Sequence, residues 1–226
     1  MENIIYRIGK TIMNRIGDLR KDEYKVAIRY FNECQTILDV GCGTGTFLEI
    51  DPNRIIGIDI NPDNVSYCCK KGLQAQVGNA LNIPFEDNSF DGVYCSHVMQ
   101  VFSPNEAAQL IRELSRVARP DGIVVLVTLN WFKRFYRHPE NTRAYPPDAI
   151  WRYFSIQKGA SSPMYPNMPK MLQEDIWLRR PPLIEFYSAT NPNLARIASV
   201  LNAVQYGLFL RKFWAFDAYI IKLRKR

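Results

Sequence analysis

Between residues 37 and 129, short apolar runs alternate with amphipathic stretches. ILDV (37–40) and IIGIDI (55–60) are runs of the buried-strand kind, and each is followed by a helix-start signal. Behind the second run, Asn61 supplies an N-cap and Pro62 a first helical residue, predicting a helix to about Lys71 that stops at Gly72. LQAQVGNA (73–80) predicts a third strand and FDGVYCS (90–96) a fourth. Ser103-Pro104-Asn105-Glu106 reads as a capping box ahead of a helix with Leu110, Ile111, Leu114 and Val117 on one face. That helix stops at Arg119-Pro120-Asp121-Gly122, and GIVVLVTL (122–129) predicts a fifth strand. Strands alternating with helices imply a parallel sheet covered on both faces, a doubly wound α/β core.

Composition keeps this picture and adds an asymmetry. The 226 residues are 47% hydrophobic and 23% charged, which excludes disordered and fibrous classes and suits one domain. The net charge of +7 is unevenly placed. Residues 37–130 carry 6 basic against 11 acidic side chains, whereas residues 131–226 carry 16 against 6. Residues 131–192 also hold 9 of the 14 prolines and 12 of the 28 aromatic residues. The expected organisation is therefore a helical lead (1–36), a regular core (37–130), a substrate-side insertion or lid (131–192), and a C-terminal helix and strands completing the sheet (193–226). Cys34, Cys42, Cys68, Cys69 and Cys95 form an odd set without metal-ligand spacing, so reduced thiols in a cytoplasmic protein are expected, and no metal. No secretory signal and no membrane-length apolar run is visible, which leaves a soluble or peripheral protein.

The chemistry starts at Asp39-Val40-Gly41-Cys42-Gly43-Thr44-Gly45. Glycines directly after a buried strand let backbone approach a ligand, with amides at the following helix start aimed at it. Asp59 ends the second strand 18 residues after Gly41, where a carboxylate can accept from both hydroxyls of a ribose. A nicotinamide dinucleotide fits poorly, because its fingerprint is G-x-G-x-x-G and Thr46 stands where the third glycine belongs. Asp39 is also badly placed for a pyrophosphate. It suits an ammonium-bearing nucleoside with a positive sulfur.

Four ordered motifs carry a resemblance: ILDVGCGTG (37–45), GIDINPDNV (57–65), GNALNIPFEDNSFDGVYCSHVMQVF (78–102) and ELSRVARPDG (113–122). Together they resemble the class I S-adenosylmethionine-dependent methyltransferases, in the small-molecule branch called type 11. The resemblance covers residues 36–130 and implies a Rossmann-like seven-stranded sheet, mostly parallel with an antiparallel last strand, for which FDAYIIKL (216–223) alternates well enough. It implies S-adenosylmethionine as cofactor and S-adenosylhomocysteine as product. Gly41, Cys42, Gly43 and Gly45 would line the cofactor, Asp39 would meet its amino group, Asp59 its ribose, and Ile60, Asn79 and Ala80 its adenine. Asn79 stands where the family commonly has aspartate. Ser96 and His97 would lie under the transferred methyl, and Gln100 and Val101 replace an acid and a histidine frequent in the family.

The implied reaction is displacement at the methyl carbon, in which the protein aligns the partners and excludes water. His97 is either a base or a satisfied structural histidine. His138, Arg143 and Tyr145, in the basic and aromatic run after the core, are candidates for substrate contact. The basic C-terminal third agrees with a small or lipid- or sugar-linked anionic acceptor, or with peripheral contact at the inner membrane face. Two alternatives stand beside it: an RNA methyltransferase docking through that basic third, and a cofactor-binding protein without turnover. Against RNA, no recognised RNA-binding appendage or stacking motif is present.

Overall fold

The computed structural model describes residues 19–130, 139–153, 168–179 and 218–226. Seven strands form one sheet: β1 (Ile37–Val40), β2 (Ile55–Asp59), β3 (Ala75–Val77), β4 (Phe90–Ser96), β5 (Ala118–Leu129), β6 (Met171–Arg179) and β7 (Ala218–Lys225). Their order is β3-β2-β1-β4-β5-β7-β6. β7 is antiparallel to both neighbours, so β6 shares the direction of β1–β5 and β7 alone opposes it. From β1 the chain winds outward both ways, so the β1–β4 junction is the topological switch point, where open α/β sheets bind ligands at the carboxyl ends of the strands.

Four helices are described: α1 (Leu19–Tyr30), α2 (Pro62–Lys70), α3 (Pro104–Val117) and α4 (Pro147–Tyr153). One sheet face buries Leu38, Val93, Cys95, Val124 and Leu126 against α3 and α4 residues such as Leu110, Leu114 and Ile150. The opposite face buries Ile37, Tyr94 and Val125 against Ala27 of α1, with Phe31, Phe47 and Cys68. Single-residue alternation between these two sets is what a strand buried on both faces requires. None of the described helices is long and apolar enough to cross a membrane.

The capping box of α3 forms in full, with Ser103 and Glu106 each bonding the other's backbone N–H. Asn61 caps α2 by accepting from Asp63 N at 2.9 Å. The structure departs from the expected elements in three places. After the glycine loop there is only a single 3-10 turn, Leu48–Ile50, because Asp51 precedes Pro52 and is pushed to an extended conformation. The third strand shortens to Ala75–Val77. Pairing of β5 with β4 breaks between Ala118 and Ile123, at a bulge where Asp121 has φ +60. β6 falls inside the 131–192 stretch, so part of that stretch completes the sheet. The helix expected after residue 193 lies outside the described residues.

One network ties α3 to the loop before β4. Arg116 donates to Ile83 O and Phe85 O at 2.9 and 2.8 Å, and pairs with Glu113 and Asp87. Glu113 also accepts from Ile83 N at 2.7 Å. The guanidinium holds the Glu113 carboxyl below the usual carboxylate range. Arg116→Ala leaves two carbonyls and a largely buried carboxylate without their donor. We expect a loss of about 2–3 kcal/mol in urea unfolding, and a loss within 0.5 kcal/mol would show the network to be ornamental.

Candidate active site

The carboxyl ends of β1, β2 and β4 meet at the switch point and bring the predicted residues together. Gly41, Gly43 and Gly45 all have positive φ (+81, +53 and +81), so the loop needs conformations that side chains rarely adopt. A Cβ at Gly41 would fall 2.3 Å from Val98 Cγ2, while one at Gly43 would meet nothing within 4 Å. The loop is therefore clamped from below at Gly41 and open at Gly43, as a ligand cradle should be. Gly41 and Cys42 N–H groups both donate to Ile58 O, at 2.8 and 2.9 Å, which holds the loop on β2. Cys42 is buried, and its sulfur lies where a Cβ on Gly57 would be, 2.7 Å away. Burial and the nearby Asp39 push its thiol well up, so it is a packing residue rather than a nucleophile.

Asp59 braces this cradle. Its Oδ2 accepts from Gly43 N at 2.8 Å, and its Oδ1 accepts from Asn61 N at 2.9 Å and Asn64 Nδ2 at 3.2 Å. A carboxylate has about four acceptor positions, so one remains for a ligand hydroxyl. Beside it Ile60 is 71% exposed, an apolar side chain left mostly open to solvent. Asn79 is exposed and turns its Oδ1 to Leu81 N at 2.9 Å, closing a local turn. Ala80 packs at the edge of the α3 face.

Asp39 is the site's electrostatic anomaly. It is 3% exposed, and no described residue hydrogen-bonds its carboxylate. Burial, then repulsion from Asp59, raises its pKa to about 8. Tyr94, its cross-strand partner on the same face, is buried too, with Ser96 beside its hydroxyl. A buried carboxylate that no described residue hydrogen-bonds fits a ligand that brings a cation.

At the end of β4, Ser96 is half-buried and His97 turns the chain with φ +57. His97 N donates to Val127 O at 2.8 Å, and its ring Nε2 lies 3.3 Å from Glu23 Oε2 of α1. Glu23 Oε1 accepts from Arg179 Nη1 of β6 at 2.8 Å. Sequence reasoning missed both Glu23 and Arg179. The available signal was spacing: Glu23, Ala27 and Phe31 recur every fourth residue and are all buried, so Glu23 is an acid on the apolar stripe.

The substrate candidates part company. Tyr145 lies in the core and donates to Phe102 O at 2.9 Å, while Tyr219 donates to Tyr145 O at 2.5 Å. It thus corrects the expectation of substrate contact, because its ring and hydroxyl already serve packing. Arg143 is exposed, 6.0 Å from the Tyr145 ring centroid. His138 lies outside the described residues. Gln100 is a structural anchor: its carbonyl accepts from Thr142 N and Arg143 N at 2.9 and 3.2 Å. The terminal cations are likewise engaged. Lys222 and Arg224 pair with Glu174, holding its pKa down at about 2, and Lys225 donates to Asn88 Oδ1 and Ala118 O.

Residues 38–126 match the family model described as a methyltransferase domain. An uncharacterized methyltransferase-like protein of Schizosaccharomyces pombe is 29% identical over 157 residues, covering 64% of this chain and 58% of that one. A tRNA (carboxymethyluridine(34)-5-O)-methyltransferase of Arabidopsis thaliana is 35% identical over 92 residues, covering 40% of this chain and 23% of its own length. The chain thus spans between about a quarter and three-fifths of these relatives. A crystal structure of a SAM-dependent methyltransferase from Archaeoglobus fulgidus superposes with a TM-score of 0.62 at 20% identity, covering 99% of this chain and all of that one, and shows the same fold.

Proposed function

Starting from a chain that belongs to the class I S-adenosylmethionine-dependent methyltransferases, we propose that it transfers a methyl group to a small or lipid- or sugar-linked anionic acceptor. The observation that carries the cofactor part is Asp39, a buried carboxylate at the end of β1 that no described residue hydrogen-bonds. When bound, S-adenosylmethionine supplies a methyl carbon already activated by a positive sulfur. The residues of this chain do the rest. Asp39 receives the amino group, the glycine loop lets backbone come close, Asp59 takes a ribose hydroxyl at its one remaining acceptor position, and Ile60 covers the base. His97 and Ser96 stand at the end of β4 next to the cradle.

The acceptor reading rests on the arrangement outside the core. Thr142, Arg143 and Tyr145 are tied to Gln100 and Phe102 in the turn that follows β4, and Arg143 is exposed there, which suits an acceptor carrying negative charge. The cations of β7, by contrast, are consumed by Glu174, Asn88 and Ala118 and offer little to a phosphate backbone. The second reading, RNA as acceptor, is favoured by the Arabidopsis relative's tRNA activity. Salt titration of bulk RNA binding separates the two, since RNA docking predicts a steep loss of affinity with salt.

Calorimetric titration with S-adenosylmethionine and S-adenosylhomocysteine tests the cofactor. Asp59→Ala should lower affinity for both by at least tenfold, through loss of ribose acceptors and of the brace on Gly43. Unchanged affinity would remove Asp59 from the site.

A further inference from the structure

Three elements far apart in sequence converge on one carboxylate: α1 brings Glu23, β4 brings His97 and β6 brings Arg179. Glu23 is 1% exposed, and its two oxygens are divided, one to Arg179 at 2.8 Å and the other to His97 Nε2 at 3.3 Å. Arg179 is a donor only, so it commits Glu23 to the ionised, accepting form. An accepting carboxylate opposite Nε2 requires the imidazole proton to sit on Nε2. Nδ1 then carries the lone pair, and no described residue hydrogen-bonds it. The ring is 28% exposed, at the end of β4 beside the cofactor cradle. Its φ of +57 is a conformation that a non-glycine residue keeps only when its surroundings enforce it.

We propose that Glu23 is a positioning residue that fixes the tautomer and direction of His97, making Nδ1 the base that takes the proton of the incoming acceptor. The proposal rests on the methyltransferase reading above. The step balances without a further reactant. An acceptor hydroxyl loses its proton to Nδ1 as its oxygen bonds the methyl carbon, the carbon–sulfur bond breaks, and that electron pair neutralises the sulfonium. The imidazolium so formed faces the Glu23 carboxylate, which stabilises it. Such a device is useful only for an acceptor that arrives with its proton, so the anionic charge of the substrate sits elsewhere on the molecule. Arg179, at the carboxyl end of β6, holds Glu23 from the side away from His97.

The chain has only two histidines, which makes the test direct. Nitrogen-15 NMR of the full, cofactor-free protein identifies the His97 ring as the signals lost in His97→Gln. In the wild type, with the ring neutral, Nε2 should appear protonated and Nδ1 bare. In Glu23→Gln, Arg179 claims the amide oxygen and turns the NH2 group toward Nε2, so the proton should move to Nδ1. A wild-type proton on Nδ1, or a tautomer indifferent to Glu23→Gln, overturns the proposal, and the wild-type spectrum decides even if the variant does not fold. Titration with S-adenosylhomocysteine keeps the two readings apart. Binding within about threefold in wild type and Glu23→Gln supports a positioning role. A loss beyond tenfold in the variant alone would place Glu23 on the cofactor and overturn that role. No binding by wild type would overturn the methyltransferase reading itself, whatever the tautomer.

Discussion

Asparagine at position 39 is expected to weaken S-adenosylmethionine binding by roughly two to three orders of magnitude while stabilising the unliganded protein at neutral pH. Truncating one partner of a buried charge pair costs about 2–5 kcal/mol of binding. The opposite sign for stability comes from the raised pKa of about 8. In the unfolded chain Asp39 ionises near the ordinary aspartate value, so between about pH 4 and 8 the folded state holds a proton that the unfolded state has released. Stability is therefore lost as pH rises through that window, on the order of 4 kcal/mol by neutral pH, and the loss levels off above pH 8. Asparagine never ionises and escapes this loss, though it still buries a polar amide, so about 1–3 kcal/mol should be regained. The cofactor reverses the balance, because its ammonium requires the carboxylate. Affinity should rise with pH up to about 8 and flatten there, with proton release visible as a buffer dependence of the calorimetric heat. The Asp39→Asn variant should show neither. A pH-independent wild-type affinity between pH 6 and 8 would sink this account.

Gly41→Ala should be nearly as damaging, by another route. The residue has φ +81, which costs an alanine about 1–2 kcal/mol, and its Cβ would lie 2.3 Å from Val98 Cγ2. Val98 follows His97 directly, so relief of the clash must displace the turn that carries the imidazole. Overpacking of this kind costs about 1–3 kcal/mol more. The sum, about 2–5 kcal/mol, corresponds to a Tm lower by roughly 10 °C for a chain of this size. A double variant separates the two causes. Val98→Ala in the Gly41→Ala background should recover the steric part and leave the backbone part. Full recovery would mean that the left-handed conformation matters little, and no recovery would mean that the clash does not.

Much of the fold is legible in the sequence. β1 and β4 matched their apolar runs to the residue, because both faces of those strands are buried and alternation is replaced by continuity. α3 announced itself through Ser103, Pro104 and Glu106, all of which act locally. The glycine loop and Asp59 stand out by spacing, and the fold brings them within a hydrogen bond of each other, Gly43 N to Asp59 Oδ2. What was not legible depends on distance along the chain. β6 reads MLQEDIWLR, with two acids that make sense only once Glu174 lies beside Lys222 and Arg224 and Asp175 accepts from the Tyr30 hydroxyl. Glu23 looked like one more charge in LRKDEYKVAIRY, and its partners lie 74 and 156 residues away. Tyr145 misled for a related reason, because a tyrosine among basic residues looks exposed until Tyr219 and Phe102 are placed around it.

The position of β7 has a consequence for synthesis on the ribosome. β1 to β5 can pair as they emerge, each finding a neighbour already made or next to come. β6 cannot, since its neighbour among the described strands begins at Ala218, well after β6 ends at Arg179. Until then β5 presents an open apolar edge through Val125 and Val127, and β6 waits without a template. Such edges recruit other chains. A ribosome stalled between residues 180 and 217 would hold a nascent chain with its cofactor cradle formed and its sheet unsealed, which makes that interval the one where chaperone protection matters most.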